Sequence, residues 1–281
     1  MNPPGKIKAS RPAVQIPILM YHEVASHKDT SSRLAVHPAS FAAQLKYLHE
    51  AGFTALTVFE AALALAGDTT LLPEQPVAIT FDDGFADFHR DALPLLQQYG
   101  FTATVFVTTG WIDDAGPNTA GRRPGRMLCW NQIREAAASG IEIGAHSHSH
   151  PQLDQITPRN LREELRRSKA LLEDELSSEV PSLAYPFGYS NVRVRRVAHE
   201  VGYAHACAVA NVIANSEKDL FALPRLTIRR STRPVTFDII VQGQRQAVTL
   251  LKDRSLTKGW ALVRRTRAVL TNAVRSRERE L

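Results

Sequence analysis

The chain has 281 residues, 44% hydrophobic and 22% charged, which suits one sizeable globular core with an appendage and excludes a disordered, collagen-like or coiled-coil reading of the whole. Its two cysteines, Cys129 and Cys207, are too few for a disulfide framework and lack zinc-ribbon spacing. The net charge of +6 is local: residues 251–281 hold nine Lys/Arg against three Asp/Glu, so the main body is neutral and gives no reason to expect a nucleic-acid partner.

Residues 1–16 read as an N-terminal arm. The apolar run 14–21 is short, is interrupted by Gln15 and Pro17 and has no small-residue cleavage site. It therefore reads as a strand and not as a signal peptide, and the expected location is cytoplasmic. No run reaches the length of a membrane-crossing helix. The spacing then predicts a strand at 18–21 and a helix that ends at Glu50. Ser40 or a neighbour caps that helix, with Phe41, Leu45 and Leu48 on one face and Gly52 just past the end. A strand follows at 54–58, a helix at 59–66, a buried strand at 76–81, a helix at 87–99 closed by Gly100, and a β-branched strand at 102–108. Residues 113–126, DDAGPNTAGRRPGR, are loop by composition. Beyond them lie a helix at 130–139 stopped by Gly140, a strand at 141–145 and a charged helix at 157–176 with Leu161, Leu165, Leu172 and Leu176 on one face. A short strand at 183–185, a helix at 192–201 and strands at 203–209 and 226–228 complete the pattern.

Strands alternating with helices imply βα units around a parallel sheet, and about seven strands suit a closed or nearly closed barrel. Residues past 243 leave the pattern and read as a helical C-terminal extension, 244–281. Its apolar residues Leu262, Val269 and Ala273 share a helical face flanked by arginines. Such a basic amphipathic helix either lies on an anionic membrane surface or packs on the barrel with its basic side solvated.

In a βα barrel the reactive groups sit at the C-terminal ends of strands. Three strands here end in side chains of catalytic type. Thr80-Phe81-Asp82-Asp83-Gly84 places two carboxylates after a buried strand, where a turn at Gly84 brings both to one site; solvated acids in an Asp-Gly turn would give the same string. His146-Ser147-His148-Ser149-His150 follows the strand 141–145. All three imidazoles share a face on an extended chain, and His146 and His150 do so on a helical turn. Together the motifs supply Asp83, His146 and His150, three ligands for a divalent ion with a coordination position left for water. Zinc heads the candidates, with cobalt, nickel and iron as alternatives. Asp82 beside them is placed to act as base. Ala184-Tyr185-Pro186-Phe187-Gly188 forms a turn able to aim a backbone N–H, that of Phe187, at an oxyanion. His22 ends the first strand at the same mouth, as a proton donor or as a buried, hydrogen-bonded histidine. Arg225, near the last strand, either pairs with Asp82 and keeps it ionised or stays on the surface.

In this order the motifs resemble the polysaccharide deacetylases, the NodB-homology fold of carbohydrate esterase family four. TFDDG looks like the family's first motif, and HSHSH fits its second, His-Ser/Thr-x-x-His. The likeness runs from about Pro17 to Arg229, inside a domain bounded at 17–243. It implies a distorted (β/α)7 barrel, a divalent metal, usually zinc, and hydrolysis of an acetyl group from an acetylated sugar. Carried onto this chain, it makes Asp82 the base, Asp83, His146 and His150 the metal ligands, and the Phe187 N–H an oxyanion donor. Two positions depart from the family. Ala184 stands where the third motif usually has arginine, and no histidine follows His205 to supply the late Leu-x-His acid. The chain is similar here to the biofilm poly-N-acetylglucosamine deacetylase branch, in which the motif order is permuted; His22 and Arg225 then take the missing places. The substrate implied is an acetylated glycan; the membrane reading of the basic C-terminal helix would suit a lipid-linked sugar at the cytoplasmic face. A non-catalytic carbohydrate-binding relic of the fold, or an amidase acting on a non-sugar substrate, are the rival functions.

Overall fold

A computed structural model describes residues 14–26, 30–70 and 72–243; most of the N-terminal arm and the whole basic extension, 244–281, lie outside the described residues. In chain order the strands are β1 (Gln15–Ile16), β2 (Ile18–Tyr21), β3 (Thr54–Leu56), β4 (Pro76–Phe81), β5 (Thr104–Val107), β6 (Glu142–Ala145), β7 (Ser182–Ala184), β8 (His205–Val209), β9 (Ala214–Asn215) and β10 (Leu223–Thr227). The helices are α1 (Pro38–Glu50), α2 (Val58–Ala66), α3 (Leu93–Tyr99), α4 (Trp130–Ala138), α5 (Pro158–Leu176), α6 (Val192–Val201) and α7 (Pro234–Gln242). Seven parallel strands close a ring in the order β2, β4, β5, β6, β7, β8, β10 and back to β2. β3 pairs with the start of β4, whose end pairs with β5. β1 and β9 form a small antiparallel pair. This is the (β/α)7 barrel that the motif order implies.

Alternation along the strands sorts the side chains into two layers. On β4, Val77, Ile79 and Phe81 join the cluster under the helices, whereas Ala78 faces the other way. The outer layer includes the rings of Tyr21, Phe41, Phe81 and Phe88, with centroids 4.9–5.7 Å apart. The inner layer brings Ile18, Ala78, Phe106, Ala184, Cys207 and Leu223 together, and the cluster continues into Ala61 and Leu65 of α2. Among the described residues no helix is long and apolar enough to cross a membrane.

The boundaries follow from local chemistry. α1 starts two residues before the expected Ser40 cap, because Pro38 suits the first turn and His37 Nδ1 accepts from the Ala39 N–H at 3.2 Å. The strand expected to reach residue 58 stops at Leu56. Thr57 and Glu60 form a capping box that starts α2 instead. The helix expected over 87–99 is two pieces, a π turn over Phe88–Ala92 followed by α3. Pro94 lies at the junction and has no N–H to give to the preceding turn. β10 begins at Leu223, three residues before the expected start, since Pro224 reads as a strand breaker in sequence but here pairs in register with Ala208.

A polar cluster sits at the start of β6, β7 and β8, at the opposite end of the barrel from the strand C-termini. Ser182 Oγ bonds both Glu142 and His205 Nε2, the latter at 2.5 Å. Glu142 also accepts from Thr104 Oγ1 at 2.7 Å and from the Phe59 N–H at 3.1 Å, which ties α2 to the barrel. Burial pushes the His205 imidazole down to about 4. The native state thus keeps His205 neutral while the unfolded chain takes up a proton near its ordinary value of about 6.5. Between those values the unfolded state binds more protons, so stability falls as pH falls. Denaturant titrations of the unaltered chain and of His205→Gln at pH 7 and pH 4.5 should show the unaltered chain losing about 2–3 kcal/mol more than the variant over that interval.

Candidate active site

Because the ring strands are parallel, the segments following β2, β4, β6, β7 and β10 emerge on one rim. The Asp82 N–H extends the ladder by donating to the Tyr21 carbonyl at 3.0 Å. The chain then turns through two left-handed residues, Asp83 at φ 75° and Gly84 at φ 85°, which lets neighbouring carboxylates serve one site. After β6 the His146–His150 segment is neither extended nor helical. Ser147 and His150 both have positive φ, 62° and 59°. This folds the segment so that the His146 and His150 rings lie 4.9 Å apart, while His148 turns away to Thr109 Oγ1 at 2.9 Å. Glu164 of α5 holds the turn by accepting from the His148 and Ser149 N–H groups at 3.0 and 2.8 Å and from Ser149 Oγ at 2.5 Å.

Asp83 Oδ1 lies 3.5 Å from His146 Nε2 and 3.3 Å from His150 Nε2. One ligand atom from each of the three residues falls within 4.8 Å of the others. Asp83 Oδ1 is buried and has no hydrogen-bond partner among the described residues, an orphan of the kind that a cation satisfies. His146 Nδ1 meets the Ala184 carbonyl at 2.8 Å. The carbonyl can only accept, so the proton is on Nδ1 and the Nε2 lone pair faces Asp83. These donors fit a divalent ion. Burial alone would raise the Asp83 carboxyl, but the two imidazoles and His22 outweigh it and hold the group well below the usual carboxylate range. Burial lowers His150, whereas on His146 the charges of Asp82 and Asp83 overcome burial and raise it.

Asp82 takes a different partner. Its two oxygens accept from Arg225 Nη1 and Nη2 at 2.6 and 2.7 Å, and both residues are buried. Arg225 also donates to Thr80 Oγ1 at 3.2 Å and lies over the Phe106 ring at 5.4 Å. Burial would raise the Asp82 carboxyl; Arg225 and His146 reverse that and lower it. His22, half-buried at the end of β2, has an Nδ1 that is buried and unpaired, and its charge acts on both carboxylates. Phe187 sits in a 3-10 turn at φ 60°, 50% exposed, with its ring 4.7 Å from that of His150. All seven residues singled out in the sequence thus stand at or beside one rim.

Residues 71–206 match the family model described as Polysaccharide deacetylase. The Bacillus subtilis polysaccharide deacetylase-like protein YxkH is 31% identical over 241 residues, which is 85% of this chain and 80% of that relative. The chain belongs to the polysaccharide deacetylase family. The structure of the Streptococcus pyogenes deacetylase PplD in complex with acetate matches with a TM-score of 0.74 at 30% identity, over 82% of this chain and 99% of that one. The poly-beta-1,6-N-acetyl-D-glucosamine N-deacetylase of Staphylococcus aureus is 22% identical over 205 residues, 69% of this chain and 68% of that relative.

Within this polysaccharide deacetylase fold, three residues important to the rim escaped the sequence reading. Trp111 stacks on the His150 ring at 4.7 Å and 29°. It follows β5, where residues 108–112 carry no carboxylate or imidazole to mark the strand end. Glu164 lies on the charged helix and has no local signature at all. Asp87 reaches across the chain to accept from the Val24 N–H at 3.0 Å and thereby holds the segment after His22; in sequence it is only the first residue of the helix expected over 87–99. The Asp82–Arg225 pair yields a direct expectation. Arg225→Met strands a buried carboxylate and should lower unfolding stability by about 3–5 kcal/mol in urea titrations. Arg225→Lys should recover only part of this, since an ammonium cannot bind both oxygens in parallel.

Proposed function

We propose that this deacetylase is a metal-dependent hydrolase that removes N-acetyl groups from an acetylated glycan. The observation that carries the proposal is the partnerless, buried Asp83 oxygen facing two imidazole nitrogens, beside a second carboxylate kept ionised by Arg225. Asp83, His146 and His150 would hold the ion. When bound, a divalent cation, zinc or else cobalt, nickel or iron, supplies a Lewis acid that polarises the acetyl carbonyl and makes water more acidic.

The chain's own residues supply the proton transfers. Asp82 takes a proton from the attacking water. Arg225 occupies one lone pair on each Asp82 oxygen, which leaves a second free to accept it. The water oxygen bonds to the acetyl carbon, and the Phe187 N–H donates to the oxyanion that develops. The C–N bond then breaks, His22 gives its proton to the departing nitrogen, and acetate and a free amine result. The Staphylococcus aureus relative, named for N-deacetylation of poly-beta-1,6-N-acetyl-D-glucosamine, favours an amide over an ester as the bond cleaved. A carbohydrate-binding relic would have no need of an assembled carboxylate–imidazole set, and an amidase for another small substrate would use the same groups. A panel of acetylated oligosaccharides and simple acetamides, assayed for acetate release with zinc-loaded protein, decides among them. Release from the sugars, lost on chelation and restored by metal, is expected. No release from any sugar overturns the proposal.

Asp82→Asn should keep zinc content at the wild-type level while lowering acetate release by about 100-fold or more. Loss of zinc together with activity would show that Asp82 is a ligand and not the base. For His22→Gln the expected sign depends on the leaving group. An acetamido sugar needs its nitrogen protonated, so its kcat should fall by about 100-fold. 4-Nitrophenyl acetate releases a stable phenolate and should be hydrolysed at nearly the wild-type rate. Equal losses on both substrates would remove His22 from the acid role.

A further inference from the structure

The two imidazoles of the rim are oriented by different means. His146 is fixed in the usual way for a ligating histidine, through Nδ1 to the Ala184 carbonyl. The ring nitrogens of His150 make one contact, Nε2 to Asp83, and no hydrogen bond among the described residues holds its Nδ1. Its ring instead contacts two aromatic side chains. Trp111 stacks on it at 4.7 Å with planes 29° apart, and Phe187 meets it edge-on at 4.7 Å and 66°.

Trp111 is itself locked from behind. It clusters with Phe85 and Met127 and is 7% exposed. Phe85 follows the Asp83-Gly84 turn and forms a bridge with Met127, so the cluster joins the turn that carries Asp83 to the far end of the loop over residues 113–126. Within that loop Gly121, at φ 75°, leaves the space the indole needs: an added Cβ would lie 2.8 Å from Nε1 and 2.6 Å from the Ser149 carbonyl. The indole N–H is buried without a partner among the described residues, so packing there, and not a hydrogen bond, sets the plane of the ring. Phe187 is held in a left-handed turn.

We infer that Trp111 and Phe187 are positioning residues whose stacked and edge-on ring contacts hold the His150 imidazole in its ligating orientation, where no hydrogen bond among the described residues fixes its Nδ1. This rests on the metal site proposed above, so its test reads metal affinity directly. Zinc dissociation constants are measured on the full-length protein by competition with a chromophoric chelator, for the unaltered chain, Trp111→Leu, Trp111→Phe and Phe187→Leu. Leucine fills space but cannot stack. Trp111→Leu and Phe187→Leu should each bind zinc about 10-fold more weakly or worse, the scale of lost outer support for a ligand. Trp111→Phe should recover to within about 3-fold. Cooperative thermal unfolding of each metal-free variant establishes that it is folded. Should Trp111→Leu fail to fold, Phe187→Leu, at a half-exposed position, carries the test. A folded leucine variant at either position with wild-type zinc affinity overturns the inference. An unaltered chain that binds no divalent metal overturns the metal site itself, which is a separate result.

Discussion

A carboxylate taken out of water needs a positive or hydrogen-bonded partner, and this molecule buries two in succession. Asp82 and Asp83 share a backbone turn yet answer the requirement in opposite ways. Asp82 is closed off by a guanidinium that grips both oxygens. Asp83 is left with an oxygen that has no hydrogen-bond partner among the described residues and that faces two imidazoles. A donor on each oxygen makes the first an ionised group with a fixed orientation. An oxygen without a hydrogen bond leaves the second able to take a cation. The division of labour between adjacent residues follows from what each one faces and needs no difference in residue type.

Backbone strain is concentrated where that division is made. Six non-glycine residues among those described have positive φ, and four of them, Asp83, Ser147, His150 and Phe187, belong to the rim. Of the remaining two, Ser177 closes α5. A left-handed non-glycine residue costs of order 1 kcal/mol or more and persists where its surroundings over-determine it. Those surroundings are visible: Glu164 takes three hydrogen bonds from the His148–Ser149 stretch, and Ser147 Oγ accepts from the His150 N–H at 3.1 Å. The strain therefore buys short, sharp turns that bring residues from separate strand ends within a few ångströms of one another.

The barrel and the rim residues were legible in the sequence for a simple reason. Parallel strands buried on both sides read as apolar runs, and an Asp-Asp or a His cluster directly after such a run stands out. What was hidden depends on contacts between distant segments. The direction of the His segment was open between extended and helical geometries, since its true shape rests on Glu164, sixteen residues on from His148, and on two left-handed residues that no side chain announces. The α1 cap fell on His37 and not Ser40 because a proline at the first turn outweighed the better capping residue type. α7 had no prediction at all: Pro234 and Gly243 bracket it as start and stop signals, but the basic extension beyond drew the boundary to itself. Trp111 stayed unmarked because a tryptophan in a loop looks like core until the ring beneath it proves to be an imidazole.

The interior of the barrel explains why one end is suited to chemistry and the other is not. Between the two polar ends lies an apolar layer that includes Phe106, Ala184, Cys207 and Leu223, and burial there pushes the Cys207 thiol up to about 12, which leaves it inert. Arg225 rests on that layer through Phe106, so its charge is poorly screened from below and acts mainly on Asp82. At the opposite end the Glu142–Ser182–His205 cluster has the residue types of a catalytic site but the wrong arrangement. Ser182 stands between the acid and the imidazole and is fully buried, whereas a nucleophile must lie at the end of such a relay with access to substrate. Its bonds are spent on holding α2 against the barrel. Residue identity alone would nominate both ends; burial and the order of hydrogen bonds select the rim, where a left-handed turn leaves one carboxylate oxygen open to a cation and an exposed phenylalanine marks the way in.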